Sequence, residues 1–210
     1  MITVSTRRIR NFGGFTLVEL MVSMAISLVV LAAIAGTFTV QTRQNSAEEQ
    51  VGQMQQNVRS ALDLMIREIQ MAKYDPAETA FPVGTYGVTY SGSQLEIKAD
   101  VVDGNGSINT SSGSLENIIY TFDSATLRIT RKLGSTGTAE LLADNITAFT
   151  FDYFDANGNA VTSSVNSGDI RKVTISITAR TARPDPSYSA NGGYRTYQIS
   201  ADITPPNMAL

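Results

Sequence analysis

Residues 15–40, FTLVELMVSMAISLVVLAAIAGTFTV, are 26 consecutive positions with a single formal charge, Glu19, and they limit what the rest of the chain can become. As a helix rising about 1.5 Å per residue, the run extends about 39 Å, longer than the roughly 30 Å hydrocarbon core of a bilayer. It is long enough to span a membrane. An acidic side chain near the centre of such a helix costs about 2.5 kcal/mol or more, so an ionisable residue inside it marks a functional site by default. Glu19 therefore requires a partner.

What precedes the run is basic. Arg7, Arg8 and Arg10 all stand before Gly14 with no acidic residue among them, and cations flanking an apolar segment stay on the cytoplasmic side. The N-terminus is expected inside and the remainder outside. The arginine pair does not make a twin-arginine signal, because Arg10 stands where an apolar residue is preferred and Glu19 interrupts the apolar run. An ordinary secretory signal is the stronger rival, since Ala33-Ile34-Ala35 before Gly36 matches the small-residue pattern of a signal-peptidase site. The length of the run, its carboxylate and the sequence that follows argue against it.

In residues 41–74 there is no proline, and Val51, Met54, Val58, Ala61, Met65, Ile69 and Ala72 recur at helical spacing, widened by Leu62 and Ile66. That is one apolar face of a helix, so the spacing predicts a helix over 15–74, stopped by Asp75-Pro76. Gly36 and Gly52 are expected weak points where it bends or melts, and Glu48 and Glu49 read as its wet face. Beyond Pro82 the period changes to two. Residues 86–90, 94–99, 117–122, 126–131, 146–154, 170–180 and 194–203 read as strands joined by turn-rich connections, hence a mainly antiparallel sheet. Val173, Ile175 and Ile177 face one way and Thr174, Ser176 and Thr178 the other, and the helical stripe is the obvious cover for the apolar face. The expected class is α+β. The divisions are a basic leader (1–14), a membrane or filament-core helix (15–40), its amphipathic continuation (41–74) and a β-rich head (75–210).

Gly14-Phe15-Thr16-Leu17-Val18-Glu19, after a short basic leader and before an apolar helix, resembles the signal of type IV prepilins and type II secretion pseudopilins. In that family a membrane-embedded prepilin peptidase cuts after the glycine and methylates the new N-terminus. The resemblance implies cleavage between Gly14 and Phe15, N-methylation of Phe15, and an assembly role for Glu19. More loosely, residues 54–62, 69–74, 142–146 and 149–155, with Arg171-Lys172-Val173 and Pro206-Asn207, resemble PilW-like minor pilins or J-type pseudopilins. The family further implies insertion in the bacterial inner membrane, helix packing with other pilins, and an inner-membrane assembly platform. Two departures stand out: Gly36 takes the place of a common proline, and there is no cysteine for the C-terminal disulfide of many major pilins. A minor subunit fits these gaps better, and the presence of Glu19 argues against the K-type tip pseudopilin.

The functional expectation is thus a PilW-like minor pilin supporting pilus assembly. The alternatives are a J-type pseudopilin and a membrane-tethered binding domain that does not polymerise. Asp152, Asp155, Asn157 and Asn159 place oxygens close together beside a glycine, as calcium ligands do, but lack the ligand count of an EF-hand; a hairpin turn is the expected reading. Asp103-Gly104-Asn105-Gly106 likewise reads as a turn. Arg180, Arg183 and Arg195 with Tyr188, Tyr194 and Tyr197 read as solvated strand edges rather than a nucleic-acid surface. Removing the leader's three arginines leaves 13 basic against 19 acidic residues, a net charge of −6, so no nucleic-acid partner is expected. Without histidine or cysteine no catalytic constellation is found. The chain reads as an enzyme's substrate rather than an enzyme, with no cofactor.

Overall fold

A computed structural model describes residues 14–208; the expectations for Arg7, Arg8 and Arg10 lie outside them. Helix α1 runs Leu17–Gln70, 54 residues. It is helical without interruption through Gly36 and Gly52, and a methyl group added at either would meet nothing within 4 Å. The melting expected at the two glycines is absent. Propensity is a local term of about 1 kcal/mol, too small to break a helix flanked by tens of strong helix formers. Contacts divide the chain between Ala47 and Glu48, and each unit is described by itself.

In the first unit every described residue from Gly14 to Ser46 is exposed. The second unit holds the core. There α1 buries Met54, Val58, Ala61, Leu62, Met65 and Ile69, the stripe read from the spacing. The helix ends earlier than expected. Met71 and Ala72 donate their amides three residues back, to Glu68 and Ile69, and Lys73 adopts a left-handed φ of 60°. The Lys73 amide is then taken by the Lys98 carbonyl at 2.9 Å, so tertiary pairing and not the Asp75-Pro76 dipeptide sets the stop. Gly87 lets this approach happen, since a Cβ there would overlap the Lys73 backbone.

The strands form two antiparallel sheets rather than one. The first contains β1 (Val88–Thr89), β2 (Gln94–Lys98), β3 (Asn117–Asp123), β4 (Arg128–Leu133) and β5 (Ala139–Ala143), in that order. The second contains β6 (Ile146–Phe154), β7 (Lys172–Arg180) and β8 (Thr196–Ile203), also in chain order. The break falls at Asn145, whose φ of 57° turns the chain between β5 and β6. Its carbonyl accepts from Arg180 at 2.9 Å, while the Ile146 amide reaches Leu127 at 3.0 Å. In β7, Val173, Ile175 and Ile177 are fully buried and the residues between them are not. Phe149 on β6 meets Phe122 on β3 edge to face at 6.4 Å and Phe151 at 4.4 Å, which joins the two sheets through aromatic packing.

One charged cluster lies inside this core. Glu68, 5% exposed, faces the first sheet three residues beyond Met65. Its carboxylate accepts from Arg131 Nε at 3.1 Å and Nη2 at 2.5 Å, and from the Tyr120 hydroxyl. The pairing of Tyr120 with Arg131 across β3 and β4 sets both donors side by side. Burial, reinforced by the Glu68 carboxylate, pushes the Tyr120 phenol far above its usual range. Burial works against the Arg131 charge, yet the Glu68 hydrogen bonds and charge outweigh it and raise the guanidinium pKa. The pair fixes one registration of helix on sheet.

Candidate functional site

The start of α1 is built by its own side chains. Thr16 stands before the first helical residue, and its Oγ1 accepts the Glu19 amide at 3.2 Å. Thr16-Leu17-Val18-Glu19 is thus the spacing of a capping box, with an acidic residue in the first turn where the helix dipole favours negative charge. This local role accounts for a threonine and an acid at these positions. It does not account for an acid within an apolar run of spanning length.

The other polar side chains of the run are satisfied within the helix. Ser23 donates to the Glu19 carbonyl at 2.7 Å, Ser27 to Ser23 at 2.7 Å, Thr37 to Ala33 at 3.0 Å and Thr39 to Ala35 at 2.9 Å. Each hydroxyl returns to the carbonyl four residues back, so none presents an unmet donor to an apolar surrounding. The Glu19 carboxylate of this run has no hydrogen-bond or ion-pair partner among the described residues. Phe15 is 84% exposed, and Gly14 is open on all sides. By length and composition α1 can cross a membrane.

The family model described as a prokaryotic N-terminal methylation motif matches residues 9–35. The chain carries the N-terminal motif of the type IV prepilin and pseudopilin family. No curated protein matches it by sequence. Among solved structures, a type IV-like pilin from Thermus thermophilus aligns over 73% of this chain and 95% of its own, with 10% identity and a TM-score of 0.44. The helix on antiparallel sheets is the α+β architecture expected from the sequence.

The remaining candidates, in the second unit, resolve into local structure. Asp155 is the pivot of a turn: its Oδ1 accepts the amides of Asn157 and Asn159, both at 2.8 Å, and its Oδ2 accepts Asn159 Nδ2 at 3.0 Å. The Asn159 side chain, with the turn's amides, holds the Asp155 carboxyl below the usual range. Asp152 lies in β6 opposite Thr174, and Asn157 is exposed in the turn. The basic and aromatic residues near the C-terminus engage one another: Arg180 stacks 4.2 Å from the Tyr194 ring centroid, and Arg195 stacks on Tyr188 while pairing with Asp185 at 2.8 Å. Tyr197 receives Arg59 from α1.

Sequence reasoning missed two groupings. Glu68 was legible in principle, because a charge on the buried face of a helical stripe demands an opposite charge on whatever covers it. Asp100, Asp103 and Glu116 each present a carboxylate oxygen within 4.8 Å of the others. Only the fold of the β2–β3 connection brings them together, and their spacing carries no motif.

Proposed function

We propose that this chain is a minor pilin of the PilW kind, a structural subunit that enters the cytoplasmic membrane, is cut between Gly14 and Phe15, is methylated on Phe15, and is then assembled through α1. The observation that carries this reading is the unpartnered Glu19 carboxylate in an apolar run where Ser23, Ser27, Thr37 and Thr39 are satisfied by the helix's own carbonyls. Cleavage creates an ammonium at Phe15. A neighbouring subunit displaced along the helix axis by about one turn presents its ammonium to this Glu19, and leaving either charge unpaired among apolar helices costs several kcal/mol. Pairing therefore selects one axial offset. Leaving lipid for a bundle of apolar helices exchanges one apolar surrounding for another, so the charge pair supplies the direction of the change. Prepilin peptidase, other pilins and the assembly platform are the partners of this scheme.

Glu19→Ala separates a filament subunit from a simple tether. The variant is expected to be processed normally and to disappear from the sheared filament fraction. Assembly at the wild-type level would overturn the proposal. The subunits that co-sediment with the wild-type chain distinguish a pilus from a J-type secretion pseudopilus.

A further inference from the structure

We propose that Asp100, Asp103 and Glu116 form a calcium site at the β2–β3 connection. One oxygen from each carboxylate lies within 4.8 Å of the others. Asp103 is exposed, but Asp100 and Glu116 are 0% and 1% exposed. Two buried carboxylates at such separation repel one another in a medium that screens poorly, and a cation between them offsets that repulsion. No lysine or arginine among the described residues fills that role, since the ion pairs there involve Glu68, Glu96, Asp185 and Asp202. The contrast with Glu68, equally buried and held by Arg131, shows how this fold treats an acid that has an organic cation to meet.

Backbone amides account for part of the cluster. Glu116 accepts from Val102 at 3.2 Å and Asn109 at 2.7 Å, and Asp100 Oδ2 accepts from Gly106 at 2.7 Å. Asp100 Oδ1 is buried with no hydrogen-bond partner. That oxygen has lost its water and received nothing in return, at a residue that shares its surroundings with two other acids. A cation satisfies it and offsets the repulsion together.

A set of carboxylate oxygens suits a hard cation such as calcium. Calcium binds oxygens at about 2.3–2.6 Å, so opposite ligands stand up to about 4.6–5.2 Å apart; magnesium, at about 2.0–2.1 Å, holds them within about 4.2 Å. Oxygens within 4.8 Å of one another fit the range that calcium spans. Carbonyls of the connection and water complete the coordination, which for calcium comprises about six to eight oxygens. The Asp100 amide donates to the Tyr74 carbonyl at 2.8 Å and Thr79 to the Gly106 carbonyl at 3.3 Å, so the connection that carries the cluster is tied to the segment that follows α1.

The test uses the full chain in detergent, stripped with EGTA and titrated separately with calcium and magnesium while heat capacity and thermal unfolding are followed. Calcium is expected to bind one site with a dissociation constant on the order of 10⁻⁴ to 10⁻³ M, as in other extracellular calcium modules. At a hundredfold excess it is expected to raise the melting temperature by about 5 to 10 °C, and magnesium by far less. In Asp100→Asn/Glu116→Gln the calcium response disappears, while melting in EGTA equals or exceeds that of the wild type because the repulsion is gone. Absence of calcium binding to the wild type at about 10 mM, or a response undiminished in the double variant, overturns the proposal.

Discussion

Leu28 and Leu31 on the first stretch of α1 are 66% and 61% exposed, while Met65 and Ile69 on its last turns are fully buried against the sheets. Both stretches belong to one helix, and both are rich in leucine, isoleucine, valine and methionine. The difference lies in distribution. From 17 to 40 apolar residues surround the helix, the pattern of a segment whose environment is apolar on all sides; from 51 to 72 they form one stripe, the pattern of a helix with a domain on one side and water on the other. Their charges follow the same division. Glu68 meets Arg131 and Tyr120 inside the chain, whereas the Glu19 carboxylate has no partner among the described residues, and the proposed function gives it one in a neighbouring subunit.

This contrast breaks most visibly at the charges. Arg131→Ala leaves Glu68 buried without its cation and is expected to destabilise the second unit by about 3–5 kcal/mol, measured by chemical denaturation of the full chain in detergent. Glu19→Gln in the same experiment is expected to leave that transition in place. Core truncation comes next. Met65→Ala is expected to cost about 2–5 kcal/mol, and Leu28→Ala or Leu31→Ala to fall within about 0.5 kcal/mol of wild type. Equal losses from the two stretches would contradict the division.

A smaller effect of opposite sign is expected at the glycines. Gly52 is exposed, helical and free of close neighbours, so Gly52→Ala is expected to stabilise the second unit by about 0.5–1 kcal/mol. Gly36→Ala is expected to leave its melting unchanged. The weakest effect is that of acid. Asp123, Asp155, Asp185 and Asp202 all have lowered pKa values, chiefly through Thr126, Asn159, Arg195 and Thr174 respectively. A depressed folded pKa contributes stability above the unfolded value of 3.8, and that contribution is lost as pH falls through the folded values. All four acids lie in the second unit, so its melting temperature is expected to fall below about pH 4, with a shallower fall when all four are asparagine.

Much of this organisation is legible in the sequence because hydrophobic period reports directly on which faces meet water. The stripe from Met54 to Ile69 and the alternation in β7 are of that kind. Elements defined by partners elsewhere in the chain are not. The helix stop depends on Lys98 capturing the Lys73 amide, and the division into two sheets depends on the backbone of Asn145. β5, Ala-Glu-Leu-Leu-Ala, lies at the end of its sheet with Leu141 56% exposed, so it has little alternation to detect. Of the candidate sites, Gly14, Phe15 and Glu19 lie within one short stretch, so the motif they belong to is visible locally. Asp100 and Glu116 are joined only by the path of the chain between β2 and β3.

The most direct measurement is the mass of the N-terminal peptide of the chain recovered from membranes. Removal of residues 1–14 from the 210 leaves a mature chain of 196 residues, and the peptide is predicted to begin at Phe15 and to carry one added methyl group. A chain beginning at Gly36, or one still beginning at Met1, would contradict the account.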